Sequence, residues 1–386
     1  MPANDQSYSS YHRSRSNLHR PSIAARRRQL RRRRAAALFA LVVIIVAIIV
    51  EVDKNSGTPS THATTTLKIT TTTTLIPTTT SIPANGGIGS YAVGYVTQDI
   101  TYSLNGQTRS LPTIIRYPSL GTPGVNYQSP GSSPVKSASP YPLIVFSQGF
   151  DISAEAYIAL LNTWASAGYI VADPTYPSTD PSTPGGPQRS DLVNHPSDLR
   201  EVINYLSSMN SMAGTPLNGI IDTSSVGVVG HSDGGDVALA AVANSRDIIP
   251  GIKAAAILSG AEYQPFGGSY FSTGQSTPLL VVQGTNDNIN PPGCSAQIYN
   301  GAAKPKYFLG IIGASHESPY LDSGAEQKLV MTMTTLFFDT WLKGEASGAQ
   351  LLNLQAQSAT SISFWSNGTS IPETLNGSCP GAPNNG

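Results

Sequence analysis

A short apolar run at residues 226–229 (VGVV) passes directly into Gly230-His231-Ser232-Asp233-Gly234-Gly235, and the stretch that follows, DVALAAVA, reads as a buried helix. A serine flanked by glycines between a strand and a helix is the G-x-S-x-G turn, which lifts the serine out on a strained backbone. The glycines have a steric reason, because side chains at 230 and 234 would collide with neighbouring backbone. Ser232 then stands at a helix N-terminus, where the helix dipole favours a developing negative charge.

The rest of the chain supplies the sheet that such a turn needs. Apolar runs bounded by turn residues lie at 142–146 (PLIVF), 169–172 (YIVA), 254–258 (AAAIL), 279–283 (LLVVQ) and 307–312 (YFLGII). Helical patterns at 154–167, 196–209, 235–243 and 326–342 fall between or after them. Strands alternating with helices predict βαβ units around a mostly parallel sheet flanked by helices, an α/β class of fold. Residues 94–104 and 111–117 read as an antiparallel hairpin at the sheet edge, turning at Asn105-Gly106. Ser190-Asp191 and Ser197-Asp198 are candidate N-caps for the helix carrying LREVINYL. Residues 345–386 lose clear periodicity and read as surface wrap or tail.

A serine hydroxyl is a poor nucleophile until a base takes its proton. Of the six histidines, His12 and His19 lie in an Arg-rich tail and His62 in a Thr-rich stretch. His231 occupies the turn itself, with its side chain expected to point away from the attack site, and His195 precedes a helix as a structural or surface residue. His316, on the loop after the last strand, is left as the base. The orienting acid should fall between serine and histidine in the chain, and Asp287, just beyond LLVVQ, does so. Asp233 and Asp236 flank Ser232 and cannot reach behind His316, and Asp322 comes too late. The predicted catalytic set is therefore Ser232, Asp287 and His316. The two oxyanion N–H donors are assigned to Asp233 and to Phe150 or its immediate neighbour in Ser147-Gln148-Gly149-Phe150, where Gly149 lets the backbone come close.

Charge is distributed unevenly. Residues 1–34 hold ten Arg and one acidic residue, Asp5, and the remainder of the chain is net −9. An acidic body argues against nucleic-acid binding. The basic tail abuts residues 35–50 (AAALFALVVIIVAIIV), an apolar run of roughly 24 Å as a helix against a ~30 Å hydrocarbon core. With Val52 and snorkelling Arg side chains, 35–52 is predicted to be a transmembrane signal anchor, with 1–34 cytoplasmic and the later residues outside. A cleaved signal peptide, giving a secreted protein, is the rival reading; Glu51-Val52-Asp53-Lys54 lacks the small-residue motif it needs, and Thr61-His62-Ala63 is the nearest candidate. Residues 53–90, dominated by Thr, Ser and Pro, read as an extended stalk. The folded domain is expected over 91–345, with 346–386 as a C-terminal extension. On the outer face of a membrane Cys294 and Cys379 can form a disulfide, and two buried free thiols are the alternative. No metal-ligand spacing or phosphate-binding loop is visible, so no cofactor is implied.

From about Tyr95 to Gly344 the chain resembles α/β-hydrolases of the branch holding cutinase-type polyester hydrolases (PETase-like enzymes), with platelet-activating-factor acetylhydrolase and dienelactone-hydrolase relatives. PLIVFSQGF, GHSDGG and GTNDNINPPGCSAQIY…YFLGIIGASHESP carry the resemblance. It implies a serine carboxylic-ester hydrolase acting through an acyl-enzyme on small or polymeric esters, with the same roles for Ser232, Asp287, His316, Phe150 and Asp233. It also offers Tyr263 as an aromatic substrate contact. The chain departs from the polyester hydrolases at Asp233, where they have Met, and from the wider family at Gln148, where His is frequent. The dienelactone hydrolases use Cys as nucleophile, and this chain has Ser. Only 17 residues separate Gly260 from Pro278, too few for the helical lid that lipases insert there, so an open cleft is expected. An acyltransferase or peptidase with the same residues, or a non-catalytic surface protein that keeps the fold, remains open at this level.

Overall fold

The computed structural model describes residues 89–124, 128–274, 276–375, 377 and 379. The tail, the expected anchor at 35–52 and all but the end of the stalk lie outside them. Among the described residues no helix is long and apolar enough to cross a membrane.

The chain enters through a hairpin, β1 (Ala92–Leu104) and β2 (Gln107–Ser119), paired without interruption from Ala92↔Ser119 to Leu104↔Gln107. Its turn places Asn105 at φ 53° and Gly106 at φ 79°, the left-handed pair that matches the twist of the flanking strands. After the two-residue β3 (Ser129–Pro130) come β4 (Tyr141–Ser147), β5 (Ile170–Pro174), β6 (Ile221–His231), β7 (Ile252–Leu258), β8 (Leu279–Gly284), β9 (Lys306–Ile311) and β10 (Ser363–Asn367). They form one sheet in the order β10-β9-β8-β7-β6-β4-β5-β2-β1-β3. From β9 to β5 every neighbouring pair is parallel, while β10 and the hairpin close the two sides antiparallel.

Both faces of the parallel part are covered, which is why its strands read as unbroken apolar runs. Along β4, Leu143 and Val145 belong to one core and Ile144 and Phe146 to the other. The first core packs under α2 (His195–Ser211), α3 (Asp233–Ala243) and α4 (Pro292–Gly301), through Leu199, Leu206, Val237 and Ile298. The second packs under α1 (Ile158–Ser166) and α6 (Ala325–Trp341), through Leu160, Trp164, Val330 and Phe337. A short α5 (Ser318–Leu321) precedes α6.

Three expectations are corrected. The stretch expected as one helix from 154 begins as a 3-10 turn, Ala154–Tyr157, before α1. Neither Ser190-Asp191 nor Ser197-Asp198 caps α2, whose N-cap Asn194 makes no side-chain cap bond. The carboxylates are instead captured by Arg109 of the hairpin, at 2.8 and 2.9 Å to Asp191 and 2.6 Å to both oxygens of Asp198, and Tyr102 Oη donates to Asp198 at 2.7 Å. A charged fork on a distant strand offers an acid more than a lone backbone N–H does. The C-terminal extension at 346–386 is also more than wrap. It forms α7 (Gly348–Ser358) and then β10, which lengthens the sheet against β9 and stacks Phe364 on Phe308 and Trp365 on Tyr307. A five-residue edge strand is too short to announce itself by periodicity.

Cys294 on α4 is disulfide-bonded to Cys379, with Cα atoms 4.4 Å apart and a sequence separation of 85. A cross-link over so long a loop restricts the unfolded chain by roughly 4–5 kcal/mol in the loop-entropy picture. Denaturant unfolding of the paired Cys294→Ser, Cys379→Ser variant should show a stability loss of roughly 2–5 kcal/mol.

Candidate active site

The residues expected to carry the chemistry all stand beyond the C-terminal ends of parallel strands, where open α/β sheets bind ligands. Ser232 follows β6, Asp287 follows β8 and His316 follows β9. Ser232 has φ 57° and ψ −126°, a left-handed backbone that a serine adopts only when its surroundings hold it there. The close packing of α3 does so. A Cβ at Gly230 would strike the Gly234 carbonyl, and one at Gly234 would strike the carbonyls of Ser147 and Gln148.

Ser232 Oγ lies 2.8 Å from His316 Nε2, and His316 Nδ1 lies 2.7 Å from Asp287 Oδ2. Asp287 is held on every side. Its Oδ1 accepts the N–H groups of Ile289 (2.9 Å) and Asn290 (3.0 Å), and its Oδ2 also accepts Gln283 Nε2 (3.0 Å). Burial alone raises a carboxyl; here the hydrogen bond and charge of His316, with the other donors, outweigh it and hold Asp287 below the usual carboxylate range. Gln283 and Asn290 were not singled out from the sequence. Gln283 is a polar residue at the end of an apolar strand, which is a weak signal, and Asn290, in the polar loop beyond that strand, carries none.

His231 packs beneath this line, its ring 4.8 Å from that of His316 and 4.5 Å from that of Tyr320. Its Nε2 is 2.9 Å from the carbonyl of His316 and must donate, so Nδ1 accepts from Tyr157 Oη at 2.7 Å. Tyr157 Oη in turn accepts the Gly149 N–H at 3.2 Å. One path of hydrogen bonds thus joins the Gly149-Phe150 loop to the His316 loop under the serine. The Asp151 N–H is bonded to Thr179, whereas the Phe150 N–H has no acceptor among the described residues. The Asp233 N–H opens α3, a position with no intrahelical partner.

A cleft of about 220 Å³ lies over the site, lined by Phe150, Ile152, Arg189, Ser232, Asp233, Ile289, Asn290, His316 and Glu317. A larger cavity, about 330 Å³, includes Tyr91, Tyr141, Gly168 and Lys343, and contains neither Ser232 nor His316. One expectation about the cleft wall changes. Tyr263 is buried and is not among the cleft-lining residues; its ring lies 5.1 Å from the guanidinium of Arg189. Asp233 does not present a bare acid to the cleft, because Arg189 Nε and Nη2 bind its two oxygens at 2.7 and 2.6 Å. Arg189 sits in a 3-10 turn (Arg189–Asn194) after a Gly- and Pro-rich loop, and no pattern in the sequence marked it.

A mixed α/β fold, with a large sheet between helices and a strained serine between strand and helix, is the architecture of an α/β hydrolase. In agreement, the family model for Chlorophyllase matches residues 132–277; it describes an α/β-hydrolase-type esterase family, so the match implies hydrolase activity on esters. The matched segment includes Phe150, Arg189 and Ser232 and stops short of Asp287 and His316. No curated protein matches the chain.

The His231 ring resists protonation down to about 3, chiefly through burial and next through His316, whereas an unfolded histidine titrates near 6.5. Between those values the unfolded chain binds the extra proton, so His231 leaves stability untouched above pH 6.5 and lowers it as pH falls, by about 1.4 kcal/mol per pH unit. Asp287, lowered when folded, acts in the same sense further down, where its carboxylate is protonated. Denaturant unfolding between pH 5 and 6.5 should show a proton-uptake slope that His231→Gln reduces by about one proton. Gly234→Ala should abolish the soluble native fold or displace Ser232, read by circular dichroism and serine-probe labelling.

Proposed function

We propose that this protein is a serine carboxylic-ester hydrolase with Ser232 as nucleophile, His316 as general base and then acid, and Asp287 fixing the imidazole tautomer. The hydrogen-bonded line from Ser232 Oγ through His316 to Asp287, ending on a strained serine, is the observation that carries it. His316 Nε2 takes the Ser232 proton as Oγ attacks the ester carbonyl. The oxyanion that forms is received by the N–H groups of Phe150 and Asp233, both available in the sense described above. Collapse expels the alcohol, which takes the proton from His316, and leaves an acyl-serine. Water then repeats the sequence, with His316 again as base, and releases the acid.

The alcohol and acyl parts of the natural ester belong to the same proposal. The segment between β7 and β8 holds a single 3-10 turn, Gln264–Phe266, among its described residues, which supports an open cleft for bulky esters of cutinase or chlorophyllase type. The apolar run at 35–50 behind ten Arg supports a single-pass tether with the hydrolase outside the membrane, and cleavage after that run would secrete it.

Full-length protein in detergent should hydrolyse p-nitrophenyl esters in a series from acetate to palmitate, and Ser232→Ala should lower kcat by roughly 10⁴-fold or more with little change in KM. A fluorophosphonate should label the wild type and leave Ser232→Ala unlabelled. Labelling without turnover of any ester would move the assignment to acyl transfer or peptide hydrolysis, and a folded chain that is neither labelled nor active would mark a non-catalytic surface protein.

A further inference from the structure

Arg189 is the one cation among the residues lining the cleft, and its side chain is only 7% exposed. Asp233 takes the Nε–H and one Nη2–H, the side edge of the guanidinium. The outer edge, both hydrogens of Nη1 and the second of Nη2, has no acceptor among the described residues. With the side edge taken by Asp233, this outer edge is what Arg189, as a cleft-lining residue, has left to offer a ligand. The plane is fixed from two sides, by the carboxylate and by the Tyr263 ring. A guanidinium held in this way is a prepared double donor, and its anchor is the residue directly after Ser232.

The charges around it restrict what it can take. Asp233 already balances Arg189. Glu317 lines the same cleft with no side-chain partner among the described residues, which leaves the wall net negative. Asp236, behind Asp233, accepts the Ala261 N–H at 2.6 Å, and burial and then the neighbouring Asp233 raise its carboxyl well above the usual range.

We propose that the outer edge of Arg189 is a specificity site for a neutral oxygen acceptor, a second ester carbonyl carried by the substrate beside the scissile one, and that it disfavours both a plain hydrocarbon chain and a free carboxylate at that place. This deepens the hydrolase reading and rests on it. Preference within a substrate series then comes from Arg189, while bond cleavage depends on Ser232, His316 and Asp287.

The test compares three p-nitrophenyl esters on the full chain. They are the hexanoate, the methyl succinate, which matches it in length but has a second ester carbonyl, and the hydrogen succinate. The kcat/KM of each neutral ester is divided by its rate of spontaneous hydrolysis; for hydrogen succinate, whose own carboxylate expels p-nitrophenolate intramolecularly, the enzyme-free release is subtracted and the divisor of the methyl succinate is used. The wild type should favour methyl succinate over hexanoate by about tenfold, the worth of one charge-assisted hydrogen bond, and over hydrogen succinate by at least as much. Arg189→Lys keeps a cation beside Asp233 but loses the outer edge, so the first ratio should fall toward one with hexanoate still hydrolysed. Glu317→Gln, at an exposed position, should raise hydrogen succinate relative to methyl succinate. A wild-type ratio near one, a ratio unchanged in Arg189→Lys, or hydrogen succinate as the best substrate each overturns the proposal, and the wild-type ratios decide even where Arg189→Lys does not fold. Loss of turnover on all three together with loss of fluorophosphonate labelling removes the hydrolase reading and this inference with it. Labelling retained with a flat ratio removes the inference alone.

Discussion

The approach of α3 to the ends of β4 and β6 is so close that no side chain fits at Gly230 or Gly234, and this contact holds Ser232 in a backbone conformation it would not choose. Strain of this kind costs about 1–3 kcal/mol and persists only where the surroundings over-determine it. Here those surroundings are two apolar cores on opposite faces of the sheet, which lock β4, β6 and α3 together. Relaxing the contact would let Ser232 leave both His316 and the mouth of the cleft. The stability of the sheet and the readiness of the site are therefore the same property seen at two scales.

Below the serine, polar groups extend that rigidity into the loops. Gly149, Tyr157, His231 and the carbonyl of His316 form a hydrogen-bonded path in which each donor and acceptor role is settled by the carbonyl at its end. A neutral His231 is the form that satisfies it, and burial keeps the ring neutral. The path ties the loop proposed to receive the oxyanion to the loop proposed to supply the base. Arg109 does comparable work at the rim, where its grip on Asp191 and Asp198 fastens the hairpin to the turn that carries Arg189. Buried charge is thus concentrated in paired sites, as desolvation requires.

The parallel strands and major helices were legible because a strand covered on both faces must be apolar at every position, and a short window of sequence records this. The Ser232 turn was legible for a similar local reason, since glycines on both sides of a serine betray the close approach. Asp287 and His316 could be named from their places after successive strands, and the fold sets them within hydrogen-bonding distance. What stayed hidden was set by contacts between distant segments. Arg109 meets acids more than 80 residues away, and Arg189 meets Asp233 across 44. Tyr263 was offered as a substrate contact by the family resemblance alone, and a resemblance does not record whether a ring faces a ligand or supports an arginine.

The sequence by itself determined the class of sheet, the position of the strained serine and the order of the groups beside it. All of these follow from local sterics and from which faces of an element are apolar. Only the tertiary structure decided that Asp233 would be paired with Arg189, that Tyr263 would be buried, that residues 363–367 would extend the sheet and that one edge of Arg189 would find no partner among the described residues. Those outcomes depend on which partner reaches a charge or an edge first in three dimensions, and neither composition nor periodicity carries that distance.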